Sequence, residues 1–107
     1  MRILLKFSID PENGDTLVKN GRMGETMASI LEELQPEAAY FTDVDGARGG
    51  YIVVNMDDAS QIPALTEPLL LELGATIHMQ PVMTPEDWQG AAGEAMEQMG
   101  QKYGYLF

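Results

Sequence analysis

The stretch that decides the fold is residues 36–56, PEAAYFTDVDGARGGYIVVNM. Two alternating runs flank Asp45-Gly46, and Asp-Gly suits a two-residue type I′ turn, which needs positive φ at both central positions. With the turn placed there, the pairing follows. Val44 faces Ala47, Asp43 faces Arg48, Tyr40 faces Tyr51 and Ala38 faces Val53. The period of two then sorts the side chains. Ala39, Phe41, Ile52, Val54 and Met56 make an apolar core face; Tyr40, Thr42, Tyr51, Val53 and Asn55 make a mixed one. Tyr40 with Tyr51, and Asp43 with Arg48, are favourable cross-strand pairs. A bulge at Gly49-Gly50 would shift this register by one and exchange the faces.

Ahead of the hairpin, residues 2–9, RILLKFSI, alternate as a strand with Ile3, Leu5, Phe7 and Ile9 on one face and Leu4, Lys6 and Ser8 on the other. Both faces are largely apolar, as in a central strand. Asp10-Pro11-Glu12 is a helix-start signal. Leu17, Met23, Met27, Ile30, Leu31 and Leu34 then recur at helical spacing until Pro36 ends the run. Gly14, Gly21 and Gly24 interrupt its first half, each costing about 1 kcal/mol against Ala in a helix interior. Either a helix starts near Thr16 with two weak points, or a loop precedes a shorter helix. A glycine-softened surface helix is preferred over a lid or a close backbone approach to a ligand.

Beyond the hairpin, Asp57-Asp58-Ala59-Ser60 caps a second helix to about Leu73, with Ile62, Leu65, Leu69 and Leu73 as its stripe and Gly74 at its end. Pro68 predicts a kink or break. In residues 75–83, ATIHMQPVM, Ala75, Ile77 and Met79 match the core face, and Thr76, His78 and Gln80 the mixed face. Pro81 marks an edge or an unpaired end. Thr84-Pro85-Glu86-Asp87 opens a third helix. Its stripe is Trp88, Ala91, Ala92, Ala95, Met96 and Met99, and Gly100 is its expected end. Tyr103, Tyr105, Leu106 and Phe107 in the tail predict docking on the body or on a partner subunit.

The order is that of an α+β, ferredoxin-like βαββαβ fold, a four-stranded antiparallel sheet with both main helices on one side and a C-terminal helix added. A length of 107 residues fits a single domain, with residues 1–83 the core and 84–107 the helix and tail. The other sheet face, with Leu4, Tyr40, Val44, Tyr51 and Val53, is too apolar for water, so a homodimer packed sheet against sheet is expected.

The balance of 17 acidic to 6 basic residues, a formal net charge of −11, leaves no basic stripe for nucleic acid and no attraction to an anionic membrane. There is no cysteine, which removes thiol, disulfide and thiolate-metal chemistry. No apolar run approaches the roughly 20 residues of a membrane span, and no leader is read at the start, so a cytoplasmic protein is expected.

With the MDDASQIPAL entry to the second helix and the VMTPEDW exit from the last strand, the layout resembles the dimeric α/β-barrel superfamily over about residues 2–88. That group includes muconolactone isomerase and the cofactor-free antibiotic-biosynthesis monooxygenases; the chain is most similar to short bacterial proteins of that fold. The resemblance implies a dimeric barrel, with any pocket between the sheet and its helices. In this chain that face reads as almost entirely apolar.

No P-loop, GxGxxG, HExxH or GxSxG motif occurs. One histidine and scattered carboxylates predict neither metal nor cofactor. The chemistry-bearing groups converge instead on the mixed face. Lys6, Tyr40, Tyr51 and His78 form a candidate acid–base set, with histidine the residue type most often used for proton transfer. Asn55, Gln80, Met79 and Trp88 are the candidate ligand contacts. The same groups also suit a polar dimer interface, the preferred reading, since interfaces are rich in Tyr and Met. The function expected is a non-enzymatic or small-apolar-ligand-binding module. The alternative, implied by the resemblance, is a cofactor-independent isomerase or monooxygenase acting on a small aromatic or enol-type substrate.

Overall fold

The computed structural model of the chain describes residues 1–104. Tyr105, Leu106 and Phe107, on which part of the tail expectation falls, lie outside the described residues. The elements are β1 (Arg2–Ile9), α1 (Pro11–Lys19), α2 (Met23–Leu34), β2 (Ala38–Val44), β3 (Ala47–Asn55), α3 (Ile62–Leu73), β4 (Ala75–Pro81) and α4 (Pro85–Tyr103), with a 3₁₀ turn at Ala59–Gln61 leading into α3. They build one antiparallel four-stranded sheet in the order β2-β3-β1-β4. This is the split βαββαβ arrangement expected.

The hairpin has the register that its turn dictates. Asp45 and Gly46 have φ of 53° and 83°, and Tyr40 pairs with Tyr51, Asp43 with Arg48, and Val44 with Ala47. No bulge intervenes: Gly49 and Gly50 pair in step with Ser8 and Phe7 of β1 and with Thr42 and Phe41 of β2. A Cβ at Gly49 would strike the Phe7 carbonyl oxygen, and one at Gly50 the Tyr40 carbonyl oxygen. The glycines therefore let β3 run close between its neighbours without losing count.

Leu5, Phe7, Ile52 and Val54 from the sheet meet Ile30, Leu34, Leu69 and Leu73 from α2 and α3, all buried. Two residues of the hairpin depart from the face assignment. Val44 is on the mixed face yet only 3% exposed, because it closes over the space that side-chain-free Gly49 leaves, where an added Cβ would sit 3.0 Å from it. Phe41 is on the core face yet 54% exposed, because β2 is an edge strand and the helices do not reach over it.

The helical segment starts earlier than either alternative for it. Asp10 caps α1, its carboxylate accepting from the Asn13 backbone N–H at 3.0 Å. The chain breaks at Gly21 (φ 68°), leaving two helices where one softened helix was expected. α3 runs unbroken through Pro68; Leu69 and Leu73, fully buried, anchor it beyond the missing hydrogen bond. Before it, Asp58 and Gln61 form a capping box, and the Ser60 backbone N–H, then its side chain, hold the Asp58 carboxyl below the usual aspartate range.

Thr84 and Asp87 form a second capping box at the start of α4. Hydrogen bonds from the Thr84 backbone, then its side chain, lower the Asp87 pKa, and Arg2 adds a smaller pull. α4 does not stop at Gly100; it runs to Tyr103 and closes on Gly104, at φ 80°, since a glycine in a helix interior weakens the helix without ending it. The apolar stripe is present but largely open among the described residues: Trp88, Met96, Met99 and Tyr103 are 50%, 46%, 52% and 65% exposed. The chain spans 63 × 28 × 19 Å with a radius of gyration of 18.4 Å, against about 13 Å for a compact chain of this length.

Candidate functional site

A concavity lies on the helix side of the sheet, at the hairpin end. β3 delivers Arg48 there from a core-face position, opposite Asp43 of β2. α1 crosses beneath it. Gly14 is buried, and an added Cβ would come within 3.0 Å of an Arg48 Nη1, so its missing side chain lets the guanidinium lie against the helix backbone. One residue on, the Asp15 carboxylate accepts from Arg48 Nη1 at 2.9 Å. That bond fixes the planar guanidinium. Its Nε and Nη2 make no hydrogen bond among the described residues and keep donors for a ligand.

Met23 and Met27, one turn apart on α2, form the facing wall with Gly24 between them; Ile9 and Phe41 complete the apolar lining. The cleft has a volume of about 830 Å³, within the range of small-molecule sites. Its chemistry is uneven. Apolar and thioether surface makes most of the wall, and one cation and the two carboxylates Asp15 and Asp43 stand at one end. A planar ligand with an anionic oxygen fits such a set, since Arg presents paired donors to an anion and stacks on π systems. Methionine walls adapt their shape to a ring.

The acid–base candidates from the sequence stand on the opposite side of the sheet. Tyr40 pairs with Tyr51, Tyr51 with Lys6, and Lys6 with His78, so the four form one straight row across all four strands. The row lies on an open face, not in a cavity. Tyr40 and His78 are exposed, Lys6 and Tyr51 half-buried, and Lys6 Nζ is 3.7 Å from the Asp45 carboxylate. The four candidate ligand contacts are dispersed. Gln80 is on the open face beside the row; Met79 is on the other face, packed on the core. Asn55 accepts from the N-terminal amine at 2.9 Å and donates to Asp57 at 3.2 Å. Trp88 is on α4.

Arg48 and Asp43 carry a signal in the sequence, a charged pair on the face that is otherwise core; Asp15 carries none. Asp43 and Arg48 were paired, but their place on the core face, where charge is unexpected, was not drawn out. Gly14 and Gly24 mark the approach: one seats the guanidinium and the other leaves the cleft wall open. Among the described residues no cluster of three or more His, Asp or Glu is placed to hold a metal ion, and no helix is long and apolar enough to cross a membrane.

No family model matches the chain, and no curated protein matches it in sequence. Among solved structures it is similar to 5-chloro-2-hydroxyhydroquinone dehydrochlorinase from Burkholderia phenoliruptrix in complex with 2,5-dihydroxybenzoquinone, with a TM-score of 0.59 at 14% identity over 80% of this chain and 97% of that one. At that identity the likeness shows a shared fold.

Proposed function

We propose that this protein binds a small planar anion, a hydroxyquinone, phenolate or enolate, in the cleft between α1, α2 and the hairpin. One observation carries the reading: an 830 Å³ cleft walled by Met23, Met27, Phe41 and Ile9 ends at a single guanidinium that Asp15 orients. With a net charge of −11 the protein repels anions at long range, so an anion is held only where a local cation and an apolar wall act together. The shared fold with an enzyme solved with a dihydroxybenzoquinone agrees with this ligand class. We further propose that the working unit is a homodimer in which a second copy covers the open sheet face; there the Tyr40–Tyr51–Lys6–His78 row belongs to the interface.

A second reading rests on Asp43 and Asp15 standing in the same cleft as Arg48. A carboxylate there would take a proton from a carbon beside a ligand carbonyl, Arg48 would hold the enolate oxygen, and the proton would return to another carbon. That is a cofactor-independent isomerisation.

Calorimetric titration with 2,5-dihydroxybenzoquinone tests the binding reading. The wild type should bind it, and Arg48→Gln should weaken binding at least tenfold, about 1.4 kcal/mol. Equal affinity in the two proteins, or no binding by the wild type, would refute it. Asp43→Asn that binds the probe yet interconverts no enol tautomer the wild type acts on would mark the second reading.

A further inference from the structure

α4 opens with a complete capping box and runs for 19 residues; Gly100 on it is buried, yet Trp88, Met96, Met99 and Tyr103 stay about half or more exposed among the described residues. Trp88, Ala92, Ala95, Met96, Met99 and Tyr103 follow one another along one side, while Glu86, Glu94 and Glu97 fall on the other. Capping and charge thus place this helix as a folded element with one face meant for burial. The same chain holds a second uncovered surface, the open sheet face.

That face differs in charge from the rest of the molecule. Its strand positions in β1, β2, β3 and β4 include no carboxylate, although the chain has 17 acidic residues against 6 basic ones. Two of those six bases, Arg2 and Lys6, lie there. Carboxylates from its borders pair both, Asp45 at 3.7 Å from Lys6 Nζ and Glu37 at 2.8 Å from Arg2 Nε, so the face is close to neutral and repels a second copy carrying −11 less than the rest of the surface does.

Position and area agree. α4 leaves the body at the rim of the open face: Val82 N–H donates to the Arg2 carbonyl at 3.1 Å, and Arg2 Nη1 is 3.6 Å from the Asp87 carboxylate. At about 1.5 Å per residue the helix is about 28 Å long, more than the roughly 19 Å width of four strands. The sheet face alone offers roughly 440 Å² by standard strand spacings. A standard interface takes about 800 Å² from each partner, and one side of α4 makes up much of the difference.

We infer that α4 is an exchanged arm, its Trp88–Met96–Met99–Tyr103 stripe docking on the open-face side of a second copy while that copy's α4 docks reciprocally. The inference rests on the homodimer proposed above. The docked stripe leaves Glu86, Glu94 and Glu97 in water.

Trp88 is the only tryptophan and there is no cysteine, so its emission reports the arm without labelling. Sedimentation velocity and Trp88 emission are measured on the full chain over a dilution series, beside the double variant Met96→Glu, Met99→Glu, which alters exposed positions only. The result expected is a dimer whose Trp88 emission moves to the blue as dimer forms, with the variant raising the dimer dissociation constant at least tenfold. A dimer with constant, solvent-like emission and an unchanged constant in the variant would overturn the exchanged arm and leave the dimer standing. Blue emission independent of concentration would also overturn it, by placing the arm on its own body. A monomer at every concentration would overturn arm and dimer together.

Discussion

The helix face and the open face of this sheet are built from neighbouring residues and meet different fates. Ile52 is fully buried and Tyr51, beside it in β3, is only half-buried. On the helix face the strands press against α2 and α3 until the hairpin end, where cover stops and the cleft opens around Arg48. On the open face no described residue covers the row of tyrosines, lysine and histidine. A cavity forms where packing fails locally on a covered face; an open surface is left where a whole face goes uncovered. The polar residues that looked catalytic in the sequence fall on the second kind of surface, and the residues that fit a ligand fall on the first.

Adjacent substitutions in β3 break or sharpen that contrast most strongly. Ile52→Ala should cost about 2–5 kcal/mol of folding stability, read as a lower denaturation midpoint. Tyr51→Ala should leave the midpoint of the isolated subunit within about 1 kcal/mol and act on association. Tyr51→Glu extends the test by placing a charge in the proposed seam: sedimentation should show monomers with far-UV circular dichroism retained. An intact dimer would move the row out of the interface.

His78→Ala, at the edge of the row, should weaken the dimer by about 1–3 kcal/mol if its hydrogen bond lies across the seam. It should leave ligand affinity unchanged.

The smallest effect concerns acid. The Asp58 and Asp87 carboxyls are held below the ordinary aspartate value of 3.8 by the cap hydrogen bonds of Ser60 and Thr84. A depressed folded-state pKa contributes stability that is present above the unfolded value and lost as pH falls through the folded one. Helical circular dichroism should therefore hold above pH 4 and fray below it. Asp87→Asn should lessen that acid loss in α4.

Much of the fold was legible because local signals determined it. Asp45-Gly46 set the hairpin and its register, Asp10 and Thr84 started two helices where they stand, and Asp58 capped the 3₁₀ turn that leads into α3 rather than α3 itself. What was not legible depends on contacts between distant segments. The break at Gly21 was blurred by three weakening glycines of which only one adopts positive φ. Phe41 was assigned to the core because alternation reports a face without reporting how far the helices extend over it. Arg48 and Asp15 are 33 positions apart, and only the docking of α1 through Gly14 brings them together. The end of α4 was misplaced at Gly100 because two glycines, Gly100 and Gly104, both carried a stop signal.

The measurement that separates the two faces most directly is titration of 2,5-dihydroxybenzoquinone against Gly24→Trp and His78→Ala in parallel. An added Cβ at Gly24 meets nothing within 4 Å, so the indole has room to enter the cleft mouth without disturbing the core. The account predicts that Gly24→Trp folds normally and loses the ligand, and that His78→Ala binds it like the wild type. Retained binding in Gly24→Trp together with lost binding in His78→Ala would contradict it and return the site to the open face.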